Sequence, residues 1–430
     1  MKRGIRNVYF GIGLMLLVSS ITVTTRADEI SELKELLNEQ AKKLQELQER
    51  IDQLEARQRQ KERSLTEKIE VVEKKQKETP PPTLPENLKW AEKVKLSGDF
   101  RYRHETIDAE GDDKGTRNRN RIRARLRLDA EVNDEFDAIF RLATAENDGG
   151  FASGSTSTNV TLDREFRQKN IWLDWAYGDY HPEQMPGFNV LFGKMPEPVH
   201  KVGKNQVIYD GDLAWEGGAL NYKLPLNDKQ EMFINGGGFW LSEVDGVDTS
   251  ADASLWAIQT GLNHEIDSMS LTYGASYYHF GNADQASLTL GSSSGFDNTY
   301  NIVEGFTEVG TKVGELPFSV YASYANNTGT HSSADTAWIV GTVLNKAKDP
   351  GSWELGYNYR DIEADAVAGR LNDSDFIGGG SGGEGHEFKA AYQVHKNVKA
   401  GLTYILAERD RSSGRDLDYD RLMLDLILKF

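Results

Sequence analysis

Six arginines occupy alternate positions of one stretch and are the residues best suited to attract anions: Arg117, Arg119, Arg121, Arg123, Arg125 and Arg127. The positions between them are mostly apolar from Ile122 to Val132. Because alternate side chains of a β-strand point to opposite faces, the stretch predicts a strand with one apolar face and one row of guanidinium groups. At about 16 residues, it is roughly three times as long as a typical strand of a globular protein.

More arginines are expected on the same face of the two neighbouring strands: Arg101, Arg103 and Arg141. Together these side chains would form a positive wall that favours anions, an effect that salt weakens. The face also carries carboxylates, which are Asp99, Glu105, Asp129 and Glu131. A structural lattice of ion pairs is therefore the alternative to a wall that attracts anions.

The strand that carries these arginines must belong to a larger sheet. A long strand with one apolar and one polar face is typical of a transmembrane β-barrel, whose outer face contacts membrane lipid and whose inner face lines a water-filled lumen. From residue 94 onward, about sixteen segments show this alternation, and the connections between them are alternately long and short. The sequence therefore predicts an all-β transmembrane barrel of about 16 antiparallel strands over residues 94–430. The terminal Phe430 resembles the signal that outer-membrane barrels present to their assembly machinery.

The N-terminal residues 1–27 have the features of a signal peptide. Lys2, Arg3 and Arg6 precede a mostly apolar run, and Thr25 and Ala27 provide the small residues of a cleavage site. A retained single-span anchor is the alternative. Because the chain contains no cysteine, export fits a bacterial envelope protein whose stability does not depend on disulfides.

Residues 28–78 contain no glycine or proline and predict a coiled coil. Apolar residues follow the 3–4 spacing of heptad a and d positions at Ile30, Leu33, Leu37, Leu44, Leu47, Ile51 and Leu54. The pattern resumes at Leu65 after a stutter. A lone helix would expose this apolar seam, so we expect partner chains and favour a homotrimer over a frayed monomeric helix. The proline-rich residues 79–93 predict a stiff linker.

Several functions are disfavoured by composition and spacing. The formal net charge of −17 argues against a nucleic-acid partner. The histidines are scattered without metal-ligand spacing, and we predict no enzyme, no cofactor and no metal site. Two groups of loop aspartates are expected to be solvated acids, with calcium binding as the alternative. They are Asp108, Asp112 and Asp113, and Asp373 and Asp375.

Four motifs resemble the "putative porin" family of Gram-negative bacteria: residues 96–103 (LSGDFRYR), 119–123 (RNRIR), 192–196 (FGKMP) and 209–213 (YDGDL). This resemblance implies a signal peptide, a coiled coil and a porin barrel of sixteen strands. It also implies a homotrimer and general or anion-preferring diffusion of small solutes, but it does not supply a substrate. The phosphate-selective porins are a neighbouring resemblance.

The resemblance also gives a candidate constriction in the third long loop, residues 195–212, because this loop often folds inward in trimeric porins. Its charged residues are Glu197, Lys201, Lys204, Asp210 and Asp212. An acidic loop end that faces the arginine wall would create a transverse field for dipolar solutes. An outward surface loop is the alternative.

The sequence thus predicts an outer-membrane porin that allows passive diffusion of small hydrophilic solutes and prefers anions through its arginine-lined lumen, with the coiled coil in the periplasm. The alternative is a structural tether whose coiled coil contacts the cell wall while the barrel serves as an anchor. An outer-membrane hydrolase is disfavoured, since no nucleophile with a neighbouring base is apparent.

Overall fold

The computed structural model describes residues 27–78, 86–111, 115–146, 155–163, 165–243, 252–283, 299–409 and 414–430. Nearly all of the predicted signal peptide therefore lies outside the described residues, as do Asp112, Asp113 and the proline-rich part of the predicted linker.

The N-terminal unit is one long helix, α1 (Ala27–Glu78). Its length follows from the absence of helix-breaking residues. The described side chains of the apolar seam are exposed in this single chain; Leu37 is 72% and Leu54 59% exposed. Supercoiling with partner chains therefore remains a prediction. No helix within the described ranges is long and apolar enough to cross a membrane.

The second unit covers residues 86–430 and begins with a 3₁₀ helix (Glu86–Lys93) inside the predicted linker. Its described residues contain seventeen strands: β1 (Val94–Ala109), β2 (Arg117–Asn133), β3 (Phe136–Thr144), β4 (Val160–Thr161), β5 (Ile171–Tyr180), β6 (Phe188–Pro196), β7 (Ala214–Asn227), β8 (Gln230–Ser242), β9 (Ala253–Ile266), β10 (Met269–Gly281), β11 (Asn301–Val313), β12 (Leu316–Asn327), β13 (Thr336–Leu344), β14 (Trp353–Ile362), β15 (Gly383–His395), β16 (Val398–Arg409) and β17 (Leu417–Lys429).

Sixteen of these strands form a closed antiparallel barrel, which confirms the predicted fold class. Strands that follow one another in the chain pair with each other, and β1 closes the ring by pairing with β17. The two-residue β4 lies in the connection between β3 and β5. It pairs with Ile122 and Arg121 of β2, beyond the point where β3 stops pairing with β2 at Arg125.

The two faces of the barrel wall differ as the alternation predicts. On β17, Leu424, Leu426 and Leu428 are exposed on the outer face, whereas Arg421 and Met423 are buried on the inner face. Exposed apolar side chains in a continuous outer band are suited to lipid rather than water.

The main apolar core lies inside the barrel. Inward-facing side chains of β7 to β13, such as Trp215, Phe306 and Tyr321, pack against the connections 197–213 and 363–382, which fold into the lumen. Gly203 is required where the first connection touches the wall, because its φ is +57° and a Cβ atom would overlap the Tyr321 ring. The inner connections are therefore part of the packed structure.

Candidate pore and constriction

The arginine wall is formed by β1, β2, β3 and β17. The register places Arg101 opposite Arg123 and Arg103 opposite Arg121, so like charges face each other directly across β1 and β2. Such pairs are unfavourable unless other groups neutralise them. The structure supplies those groups as carboxylates, most of them on the wall itself.

Glu105 is the central acid of one half of this wall and is fully buried. Its carboxylate accepts hydrogen bonds from Arg119 at 2.9 Å and from Arg421 at 2.9 Å, and Arg121 lies 3.5 Å away. Asp425 accepts two further hydrogen bonds from Arg103, at 2.7 and 2.8 Å. The sequence reasoning missed Arg421, although its alternation with Leu422 and Leu424 marks it as inward-facing.

The other half of the wall has its own acids. Asp99 accepts hydrogen bonds from Arg123 and Arg125, each at 2.8 Å. Arg127 pairs with Asp129 at 2.5 Å. Arg141 pairs with Asp174, and its guanidinium carbon lies 3.2 Å from the centre of the Trp175 ring, an arrangement that adds cation–π attraction.

Most of the predicted pore-lining arginines therefore have carboxylate partners. The geometry includes the ion-pair lattice that was the alternative interpretation, and it also keeps the guanidinium groups on the inner wall. Arg101 lies 3.9 Å from Asp425, a longer separation than in the other ion pairs described above, and Arg117 is exposed at the start of β2. The selectivity of this wall stays a prediction.

The connection 197–213 lies inside the barrel rather than on the outer surface. The His200 N–H donates to Gln259 Oε1 at 2.7 Å, and Gln259 Nε2 donates to the His200 carbonyl at 2.9 Å. The Gly203 N–H donates to Glu308 at 2.8 Å. These contacts attach the connection to β9 and β11 on the wall.

The charged residues predicted for this connection have different surroundings. Glu197 pairs with Lys201, and its burial raises its pKa. Lys204 is exposed. Asp212 lies 3.7 Å from Arg125 of the arginine wall. The acidic end of the connection thus contacts the wall directly instead of facing it across an open gap.

Asp210 joins this connection to a second one. Its carboxylate accepts hydrogen bonds from the Ser374 N–H and the Asp212 N–H, at 2.8 and 2.7 Å. Burial, together with repulsion from Asp373 and Asp212, raises the pKa of Asp210 to about 8. The contact between the two connections therefore favours a protonated carboxyl group.

A hydrogen-bonded belt across the inner wall was not predicted. The contacts run from Asn221 to Asn235 (2.6 Å), Asn235 to Gln259 (2.8 Å), Gln259 to Ser276 (3.0 Å) and Ser276 to Glu304 (2.8 Å). Each side chain lies on a neighbouring strand from β7 to β11, and the belt holds connection 197–213 through Gln259. Polar residues at inward positions of these strands were the available signal.

The connection 363–382 is the second inner segment, and the expectations for its acids were wrong. Asp373 pairs with Arg360 at 2.7 Å and is only 2% exposed. Asp375 pairs with Arg103 at 2.9 Å and with Arg421 at 2.8 Å. These aspartates bind arginines of the wall, so they are neither solvated loop acids nor free ligands for calcium. Asp108, in contrast, is exposed.

A third inner segment lies beside β4. Asn159 accepts a hydrogen bond from Arg101 at 2.5 Å through its side chain and one from Arg121 at 3.0 Å through its carbonyl. Thr158 donates to Asp212 from its N–H at 3.3 Å, and Ser374 donates to the Thr156 carbonyl at 2.8 Å. Three chain segments therefore meet against the arginine wall, where the sequence predicted one.

Comparisons with known proteins show the family and the fold of this barrel. The family model described as "Putative porin" matches residues 111–301 and 295–430. The chain belongs to this putative porin family. Family and fold together point to an outer-membrane channel rather than an enzyme. A search of curated proteins gave no match to this porin.

Solved structures that are similar to this porin have low sequence identity to it. The high-pH structure of Pseudomonas putida OprB is 14% identical, with 79% of this chain and 95% of that chain covered and a TM-score of 0.52. The outer membrane channel DcaP of Acinetobacter baumannii is 16% identical, with coverage of 78% and 97% and a TM-score of 0.45. Salmonella typhi OmpF, in complex with daunomycin, is 13% identical, with coverage of 78% and 97% and a TM-score of 0.48.

Proposed function

We propose that this porin allows passive diffusion of small hydrophilic solutes and prefers anions. The observation that carries the proposal is the concentration of guanidinium groups on one side of the lumen, including Arg101 with its distant acid. Although carboxylates neutralise much of this charge, a row of arginines on the wall of a water-filled lumen still offers hydrogen-bond donors to a passing anion. Salt should weaken the preference.

The reversal potential in a planar bilayer across a salt gradient tests this proposal. We expect an anion-selective potential for the wild type and a loss of selectivity when Arg121, Arg123 and Arg125 are all changed to Gln. Changing Lys229 to Gln is the control, because it removes one exposed positive charge from the turn between β7 and β8, two strands that do not carry the arginine wall. A cation-selective wild type would overturn the anion preference, and absence of any conductance would overturn the channel.

The long helix supports two further proposals. We infer that α1 extends into the periplasm as part of a homotrimeric coiled coil, because its exposed apolar side chains from Leu37 to Leu54 would be buried by partner helices. The same helix favours the second candidate function, a tether in which it contacts the cell wall and the barrel serves as an anchor in outer-membrane lipid. Swelling of liposomes in sugar solutions separates the candidates, since only an open channel admits the sugar.

We also infer that Phe430 presents the barrel to its assembly machinery. Its backbone closes the sheet against β1, with Phe430 N–H donating to the Gly98 carbonyl at 3.1 Å, while 65% of the residue is exposed. The aromatic ring is therefore accessible at the closing seam. Changing Phe430 to Ala should lower the amount of folded barrel in the outer membrane, and an unchanged amount would contradict the assignment.

A further inference from the structure

The connection 363–382 places one carboxylate between two buried arginines. Asp375 Oδ2 accepts from Arg103 at 2.9 Å, and Asp375 Oδ1 accepts from Arg421 at 2.8 Å. Arg421 also donates to the Asp375 carbonyl at 3.0 Å. The two arginine side chains are 6% and 2% exposed, whereas that of Asp375 is 26% exposed. Two guanidinium groups that grip one carboxylate form the arrangement used to recognise oxyanions.

The surrounding charges show why this position needs an anion. Five arginines meet here: Arg101, Arg103, Arg119, Arg121 and Arg421. Without Asp375, their remaining acids are Glu105 and Asp425, with Glu146 located 3.9 Å from Arg121. A buried excess of positive charge is costly unless an anion compensates for it.

Unused hydrogen-bond donors support the same conclusion. The Nε atoms of Arg101, Arg121 and Arg421 are buried and have no hydrogen-bond partner among the residues that the structure describes. Buried donors are normally satisfied, so these atoms mark a site whose donors exceed the acceptors present. Asp375 lies in a connection and not in one of the strands that form the wall. Another anion can therefore take the place of its carboxylate without disrupting a strand.

We propose that Arg103 and Arg421 form a binding site for a small oxyanion, a carboxylate or phosphate group, which Asp375 occupies as an internal competitor. The inference rests on the proposed channel, because a solute reaches this site through the lumen. Connection 363–382 then sets how strongly the wall holds a permeating anion. Removal of the Asp375 charge should expose the site to solutes.

Block of the chloride current by inorganic phosphate tests the site in the full-length protein. We expect Asp375→Asn to lower the half-blocking phosphate concentration by about tenfold, since an external oxyanion would replace the internal carboxylate. The matched control is Asp137→Asn, which removes one carboxylate of the same wall that pairs with His181 instead of an arginine. Its half-blocking concentration should equal that of the wild type.

A second variant keeps the test valid if the uncompensated arginines disturb folding. Asp375→Asn combined with Arg421→Gln restores the local charge and removes half of the site, so the gain in phosphate sensitivity should disappear. Stabilisation of the purified protein by phosphate against heat is a readout that does not depend on conduction. A conducting wild type together with equal phosphate sensitivity in Asp375→Asn and Asp137→Asn overturns the site but leaves the channel. A wild type that does not conduct overturns the channel, and phosphate stabilisation of Asp375→Asn alone would still support the site.

Discussion

At the scale of single residues, Asp210 links two inner connections through a buried carboxyl group. Its pKa of about 8 lies above its ordinary value of 3.8. Between pH 3.8 and about pH 8, the folded protein therefore keeps a proton on Asp210 that the unfolded chain has released. The contribution of this proton to the stability of the fold is complete below pH 3.8 and is lost as pH rises to about 8. Above that pH, an ionised Asp210 faces Asp373 and Asp212.

We accordingly expect the contact between the connections to loosen between about pH 6 and about pH 9. Single-channel recordings of the wild type should show larger conductance fluctuations at the higher pH. Asp210→Asn should remove this dependence, because the amide remains neutral at both values. The prediction fails if the variant and the wild type give the same pH profile.

At the scale of secondary-structure elements, connection 197–213 depends on a belt of side chains from several strands. Gln259 is only 1% exposed and exchanges two hydrogen bonds with the His200 backbone. Gln259→Leu would leave these buried backbone groups unpaired, at a cost of about 1–3 kcal/mol. Hydrogen exchange of residues 197–213 should therefore become faster. The neighbouring Thr260 is exposed on the outer face, so Thr260→Leu is the control and should leave this exchange unchanged.

The same connection should also limit the flow of ions. Deletion of residues 201–206 removes the segment that contacts β11 and β12, and single-channel conductance should rise by roughly twofold as the lumen widens. Lys229→Ala, at an exposed position in the turn between β7 and β8, should retain the wild-type conductance. Unchanged conductance in the deletion variant would contradict a constriction at this connection.

At the scale of the whole molecule, the helix and the barrel are two units with separate sources of stability. The barrel closes its own hydrogen-bonded ring from β1 to β17, whereas the described apolar side chains of α1, from Leu37 to Leu54, are exposed in the single chain. Removal of residues 28–85 should therefore leave a folded barrel and weaken the proposed trimer. Circular dichroism and the molar mass in detergent measure the two effects. If the trimer keeps its stability without the helix, contacts between the barrels hold the subunits together.

The sequence by itself determined the features that repeat over short distances. The alternation of arginine with apolar residues predicted β2 (Arg117–Asn133) and the inward direction of its guanidinium groups, because side-chain direction in a strand depends only on position along it. The uninterrupted helix-forming residues similarly predicted the extent of α1. The alternating segments and their alternately long and short connections predicted the antiparallel barrel of about 16 strands.

Only the tertiary structure decided which charges meet. Arg421 and Glu105 are 316 positions apart in the chain and become neighbours because β17 closes on β1. Asp375 and Arg103 are 272 positions apart and pair because connection 363–382 folds into the lumen. From the sequence, the acids of this connection were expected to be solvated. Loop composition does not specify whether a segment points toward solvent or folds inward. The apolar inner wall and its hydrogen-bonded belt exist only after closure, and they determine that these connections pack inside the barrel.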